Sequence, residues 1–451
     1  MCCAYEYFIE WKIMISIRNC AIVDPIRGAR SYKQDLIINE DKILDIINSD
    51  SSVNYENEID IEGRLLFPGL IDIHSHFREP GQTHKESIET GSNAAAKGGF
   101  TTVVMMPNTA PSLDSVLNIA KIEDSIKNSK IKIYLAPSVT NKRDGSSLVD
   151  INAILSSFEP IIFGFTDDGD FVQNGEIIKQ GLLKLDGKLP IMEHCEDLGI
   201  EHKNGTINHG QLSKKYNQIG RPVKAESSAV IRDLKLAKET NGWIHIQHVS
   251  TKEAIDQINN AKSDGITVTT EVTPHHLFLN ENELINNLDP IFKVNPPLRT
   301  QEDMQYCLKS LKSGVIDAIA TDHAPHSSEE KIGKFIECQS GISWLENAFG
   351  LVSDRLGYKI ACEKMSYNPS KFFKNLRLNI GLIEKGYQAD FFVIDDKNWN
   401  LKSHELESKS SNYILKYSDG NLVNLKGKPI LTFSSGKEVY NSGEVKSGND
   451  A

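Results

Sequence analysis

A chain of 451 residues in which 39% are apolar can bury a full core, and its formal net charge of −11 argues against a nucleic-acid or anionic-membrane partner. No polybasic block reverses that balance, so a small-molecule substrate is expected. Seven cysteines, an odd number scattered from Cys2 to Cys362, form neither a disulfide framework nor a zinc-finger spacing and fit a reducing cytoplasm.

No apolar stretch approaches the roughly 20 residues that span a bilayer, and Glu6, Glu10 and Lys12 break any signal-peptide core. Residues 1–13 are read as an extension without a role in the fold. Short β segments follow at 15–23, 36–38 and 42–47, separated by Pro25, Gly28 and the Asn39-Glu40-Asp41 turn. From Gly69 to about Asn379 the pattern becomes strand followed by helix, with strands expected at 70–74, 101–105, 131–136, 161–166, 189–194, 244–248, 266–271 and 318–322. Helices are expected at 86–97, stopped by Gly98-Gly99, and at 227–240. Eight βα units match a (β/α)8 barrel, although an open doubly wound sheet fits the same pattern. After Gly381 β segments return at 390–394, 429–433 and 438–440, and these are expected to pair with the N-terminal ones into a small β-sandwich. The expected division is therefore a composite sandwich of 14–66 with 380–445 around a barrel of 67–379. The Ser-, Lys- and Glu-rich segment 402–411 and the polar end 442–451 read as mobile surface.

The chemistry concentrates at the ends of these strands. His74 and His76, two apart at the end of an apolar run, point their imidazoles the same way, and Arg78 continues the alternation beside them. That places a guanidinium able to clamp a carboxylate next to a metal site. Asp168, His194, His248 and Asp322 end four further strands, so five strand ends converge, and this favours the barrel, whose active sites lie at that face. Asp168 would bridge if two zinc ions are bound; Asp322 would touch the metal and carry a proton, against the simpler reading of a turn residue before Pro325. Among the other histidines, His202, His209 and His404 read as solvent-exposed and His275 and His276 as supporting groups. His245, three before His248, reads as packed against helices on the opposite face. Cys195 reads as an apolar filler.

The runs His74-Ser75-His76-Phe77-Arg78-Glu79-Pro80-Gly81, Met106-Pro107-Asn108-Thr109, Phe165-Thr166-Asp167-Asp168-Gly169, Glu193-His194-Cys195-Glu196-Asp197, Glu271-Val272-Thr273-Pro274-His275-His276, Asn295-Pro296-Pro297-Leu298-Arg299 and 320–326 together resemble class I dihydroorotases of the amidohydrolase superfamily. The resemblance runs from about Met14 to about Tyr440. It implies a β-sandwich plus (β/α)8 barrel, one or two zinc ions, and reversible cyclisation of N-carbamoyl-L-aspartate to L-dihydroorotate in pyrimidine synthesis. By motif position, His74, His76, Asp168, His194, His248 and Asp322 resemble the metal ligands, with Asp322 also the general acid/base. Arg78, Asn108 and His326, beside the ligand His76, resemble the clamp for the substrate carboxylate, and Asn295 with the backbone near Ser340 and Gly341 resembles the ring contacts.

The resemblance departs at 340–347, where the family reads Phe-Gly-x-x-Gly-x-Glu-Thr and Ser340 and Trp344 stand for phenylalanine and glycine. The indole is expected to narrow the pocket or shift the substrate loop. Dihydropyrimidinases, hydantoinases and allantoinases share the His-x-His and strand-eight motifs, but typically carry a carboxylated lysine after strand four, where this chain has Asp168. Arg78 and Asn108 also suit a substrate with a carboxylate, which their rings lack. Non-catalytic relatives that bind aspartate transcarbamoylase typically lack several ligands, whereas this chain keeps all six. A homo-oligomer is expected, and a complex with that transcarbamoylase is compatible with the sequence.

Overall fold

The computed structural model describes residues 14–28, 31, 33–49, 57–200 and 205–445. Residues 1–13 and His202 lie outside them. Both ends of the chain meet in one eight-stranded sheet. It contains β1 (Met14–Ile22), β2 (Gln34–Asn39), β3 (Lys42–Asn48), β4 (Asn57–Asp60) and β5 (Leu65–Pro68) from the N-terminal side. Asn19, at a φ of 57°, marks an irregularity in β1. Before it the strand pairs with β4, and after it with β5; a bulge lets one strand serve two neighbours.

The next strands are parallel. β6 (Leu70–Ser75), β7 (Phe100–Met105) and β8 (Lys132–Leu135) form one group. After β9 (Ile191–Glu193), a two-stranded excursion, β10 (Ile207–Asn208) with β11 (Gly220–Arg221), precedes β12 (Ile244–Ile246), β13 (Val268–Val272) and β14 (Ala318–Ile319). The order β14-β13-β12-β9 makes the second parallel group. Single parallel bridges join the two groups: Leu135 to Ile162, Phe165 to Ile191, and Ser75 to His323. The pairings therefore return to β6. The segment expected as strand four contributes only those bridges, with Phe163 N donating to Leu135 O at 2.8 Å and Phe165 N to Pro190 O at 3.1 Å. Between them a Cβ on Gly164 would sit 2.8 Å from Pro190 O, so only glycine permits this approach. The C-terminal strands β15 (Phe391–Trp399), β16 (Leu425–Ser434) and β17 (Lys437–Asn441) complete the first sheet, β15 pairing antiparallel with β5.

Helices fill the crossovers. The helix Ile88–Lys97 starts two residues later than expected because Ser87 caps it, its side chain accepting from Thr90 N. Glu86 turns inward and is fully buried. The helix Val223–Thr240 begins four residues before the expected start. Its apolar positions Ala229, Val230, Leu234 and Ala237 join the large core cluster between strands and helices. A separate cluster lies inside the ring: Ile71, Ile73, Val104, Met106, Phe163, Met192, Trp243, Ala318 and Ala320, with Phe372 and Phe373. Phe163 and Phe373 pack with ring centroids 4.7 Å apart, and burial of each contributes about 1.5–3 kcal/mol. Truncating Phe163 to alanine would cost roughly 3–5 kcal/mol. The apolar filling leaves the carboxyl ends of the strands for polar groups. Among the described residues no helix is long and apolar enough to cross a membrane.

Candidate metal centre and substrate cavity

Strict alternation along β6 would oppose His74 to Ile73, which faces the interior cluster. A register shift between Asp72 and Ser75 in the β6–β7 pairing breaks that alternation. His74 and His76 both reach Asp168: their Nε2 atoms lie 3.3 and 3.2 Å from Oδ2. The other carboxylate oxygen, Oδ1, lies 3.4 Å from His194 Nδ1 and 3.4 Å from His248 Nε2. One buried carboxylate thus faces a histidine pair on each side. Asp322 Oδ1 adds a second acidic edge, 3.0 Å from His76 Nε2 and 3.6 Å from His74 Nε2.

These groups fit metal ions. His74, His76 and Asp168 form one set of converging ligand atoms, and Asp168, His194 and His248 a second. A tetrahedral zinc site with arms of about 2.0 Å has ligand–ligand edges of about 3.3 Å, which is the spacing observed around both oxygens of Asp168. His74 Nε2 is buried without a hydrogen-bond partner among the described residues, as expected of an atom aimed at a cation. The ring nitrogens on the far side fix the ring orientations. His74 Nδ1–H donates to Glu271 Oε1 at 2.5 Å and His76 Nδ1–H to Asn108 Oδ1 at 2.8 Å, which turns each Nε2 toward Asp168. His194 is oriented the other way, its Nε2 lying 3.4 Å from Glu196 Oε2.

The electrostatics match. Burial alone would raise the Asp168 carboxyl, but the charge of His74 and hydrogen bonds from His194 and His248 outweigh it and hold the group well below the usual range. Burial opposes a charge on His194 as well, yet Asp168 and Glu196 pull it up to about 10. Burial likewise raises Asp322, and the His76 hydrogen bond with the His74 charge more than reverses this.

A cavity of about 530 Å³ opens above these groups. His76, Asp168, His194, His248 and Asp322 line it, and so do Arg78, Asn108, Asn295, His326, Ser340 and Gly341. His74 is fully buried behind them. Arg78 donates from Nη1 to Asn108 Oδ1 at 3.1 Å and from Nε to Pro325 O at 3.3 Å. Burial lowers its guanidinium to about 10, still charged at neutral pH. His326 Nε2 lies 2.9 Å from the Ser340 carbonyl, joining the two loops that frame one side of the cavity.

Three expectations require correction. His245 does not pack away from the site: its Nε2 lies 3.2 Å from Glu271 Oε2, the carboxylate that holds His74. The chain leaves strand geometry at His248, φ 29°, and this undoes the alternation on which the expectation rested. Trp344 does not enter the cavity. Its indole is buried in the core and donates from Nε1 to His275 Nδ1 at 3.1 Å. The segment 402–411 is not loose surface, because Ser408 and Ser410 are buried and hydrogen-bonded. Other readings match the observed positions. His209 and His404 are exposed, His276 ties Thr273 to Pro296 O, and Cys195 is buried, its thiol pushed well up by burial and Asp233.

Sequence reasoning missed four contributors. Glu271 ends the strand expected at 266–271 at an acid, the same signal that singled out Asp168 and Asp322. Arg143 donates to the Asp168 carbonyl at 3.0 Å and pairs with Asp170 at 2.8 Å. Arg221 pairs with Glu196 at 2.8 Å and donates to Asn295 Oδ1. Lys293 lines the cavity and donates to the carbonyls of Ile336 and Cys338. The last three lie outside the strand and helix segments expected from the sequence and carry no periodic signature.

The ring of parallel strands with histidines and carboxylates at its carboxyl edge defines a chain of the amidohydrolase kind. The same fold occurs in the L-hydantoinase (dihydropyrimidinase) of Arthrobacter aurescens, 22% identical with a TM-score of 0.80 over 96% of this chain and 97% of that one. Dihydropyrimidinase from Brevibacillus agri NCHU1002, 20% identical, gives a TM-score of 0.80 over 96% of each chain. Sequence is more selective. A family model described as dihydro-orotase-like matches residues 63–254. Dihydroorotase from Clostridioides difficile (strain 630) is 38% identical over 437 residues, 95% of this chain and 100% of that one. Dihydroorotase from Wolbachia sp. subsp. Drosophila simulans (strain wRi) is 39% identical over 437 residues, 94% of this chain and 95% of that one. The chain belongs to the dihydroorotase family.

Proposed function

We propose that this site interconverts L-dihydroorotate and N-carbamoyl-L-aspartate, closing and opening a six-membered ring at its amide bond. The observation that carries the reading is the sharing of Asp168 between two histidine pairs, with Arg78 and Asn108 on the adjoining wall. We read the eight parallel segments as a (β/α)8 barrel of residues 67–379, and the sheet from both chain ends as a composite sandwich of 14–66 and 380–445.

His74, His76, Asp168, His194, His248 and Asp322 would hold one or two zinc ions. When bound, the ions supply Lewis acidity toward the amide carbonyl and toward water. The chain's own groups do the rest. In ring opening, oxygen from water bonds to the carbonyl carbon, the carbon–nitrogen bond breaks, and Asp322 takes the proton from the water and delivers it to the departing nitrogen. Ring closure is the same path reversed. Arg78, Asn108 and His326 bind the ring's carboxylate and undergo no bond change; they orient the substrate so that its amide faces Asp322. Asn295 and the backbone at Ser340 and Gly341 contact the ring.

Hydrolysis of L-dihydroorotate by zinc-loaded protein, compared with dihydrouracil, hydantoin and allantoin at matched concentrations, tests the reading. Turnover confined to dihydroorotate is expected. Preference for a ring without a carboxylate would refute it.

A further inference from the structure

We propose that Asn412 is a positioning residue that holds together the two loops forming the carboxylate side of the substrate cavity. The inference rests on the roles given above to His326 and Gly341. Composition gives no hint of it, because Asn412 directly follows the segment that reads as loose surface. Two buried carboxylates from distant parts of the chain seat that segment instead. Glu346 Oε1 accepts from the backbone N–H groups of Glu407 and Ser408, both at 3.1 Å. Glu86 accepts from the Ser408 hydroxyl and from Lys409 N at 3.4 Å. Neither carboxylate takes part in the chemistry proposed.

The Asn412 side chain is fully buried. Its Nδ2 donates one hydrogen to Ala324 O at 2.9 Å and the other to Gly341 O at 3.0 Å. Its Oδ1 accepts from His326 N at 2.8 Å. Every strong hydrogen-bonding direction of the amide nitrogen is thus spent on the strand-eight loop and the 341 loop. One amide nitrogen is the shared donor to both carbonyls, and Gly341 O accepts in addition from Lys331 Nζ at 3.0 Å. The loops are already as close as backbone permits: Gly341 has a φ of 142°, and a Cβ there would lie 2.7 Å from Ala324 Cβ and 2.8 Å from its carbonyl oxygen. Ser411 reinforces the same bracket, donating to His326 O from its backbone N at 3.0 Å and its hydroxyl at 3.1 Å. Both His326 and Gly341 line the cavity, while Asn412 does not. Its action on substrate is therefore through them.

Asn412→Asp is the discriminating variant, since it keeps the volume and the acceptor for His326 N but sets a carboxylate oxygen against two carbonyls. In the zinc-loaded enzyme the KM for L-dihydroorotate is expected to rise about tenfold or more, with a smaller change in kcat and with bound zinc unchanged. Amide hydrogen exchange across 322–343 is expected to accelerate. Asn412→Ser, which retains a small polar group, serves where the aspartate variant does not accumulate folded. A lower melting temperature with unchanged KM would reduce Asn412 to a structural residue and overturn the proposal. If the wild-type protein fails on dihydroorotate, the reading of the site fails; the bracket itself then stands on faster exchange in the variant and falls if exchange is unchanged.

Discussion

Replacing Arg78 by alanine separates substrate recognition from catalysis. The guanidinium is buried, with one N–H spent on Asn108 and another on Pro325 O, and it lines the cavity beside Asp322 and His326. Truncating one partner of a buried, hydrogen-bonded charge pair costs about 2–5 kcal/mol. At about 1.4 kcal/mol per tenfold, kcat/KM for L-dihydroorotate should fall by roughly 30-fold to several thousand-fold. Most of the loss should appear in KM, because Arg78 makes no bond change and binds ground state and transition state alike. Arg78→Lys should recover only part of it, since an ammonium keeps the charge but not the two-pronged fork. Steady-state assays on zinc-loaded enzyme with matched metal content measure this, with any residual turnover of dihydrouracil as the internal control. A loss below about threefold, or an equal loss on the ring lacking a carboxylate, would remove Arg78 from the clamp.

Asp322→Asn should leave zinc largely bound and lower kcat by about 10²- to 10⁴-fold, the usual share of proton transfer; near-normal turnover would end its acid/base assignment. Glu271→Gln removes the charged partner of His74 Nδ1 at a position that does not itself line the cavity, so zinc affinity measured by competition with a chelator should weaken about 10- to 100-fold. Unchanged affinity would show that His74 needs no such support. Trp344→Phe deletes the donor to His275 Nδ1, and an unfolding free energy lower by about 1–3 kcal/mol is expected with KM unchanged; a shifted KM would return the indole to the substrate loop.

What the sequence reveals is the part of the molecule governed by local pattern. The parallel segments were legible because apolar runs of strand length alternate with helix-like segments, and the candidate ligands because each lies where such a run ends. Long-range geometry was not legible in the same way. The segment around Ser408 looks loose because the groups that seat it are distant in sequence: the Ser408 hydroxyl donates to Glu86, more than 300 residues away, and its backbone N–H to Glu346, more than 60 away. Trp344 stands at a position the family fills with glycine, and only the packed structure shows that the indole finds its own site in the core against His275. Asn108, Asn295 and His326 were named through resemblance, because a lone amide or imidazole in a loop carries no periodic signal.

The failure at His245 has a more general cause. Alternation predicts which way a side chain points only while the backbone remains a strand, and the strands here stop before the ligands do: β12 ends at Ile246 and β14 at Ile319. Beyond those points the chain bends, with His248 at a φ of 29° and Asp322 at 46°, both in the left-handed region that β-carbon-bearing residues avoid. Each such residue costs about 1–3 kcal/mol and persists only where its surroundings over-determine it. Those surroundings are visible. Thr321 is fastened to the buried Asp72 through its N–H at 2.9 Å and its hydroxyl at 2.5 Å, and His248 N lies 3.3 Å from Glu271 Oε1. The bend allows neighbouring Gln247 and His248 both to face inward, one toward His74 and the other toward Asp168. A regular strand would send one of them out among the helices. The strain is thus tied to the convergence of the site: Asp72 and Glu271, which bond to no substrate in this reading, hold the backbone where Asp322 and His248 can meet the other ligands.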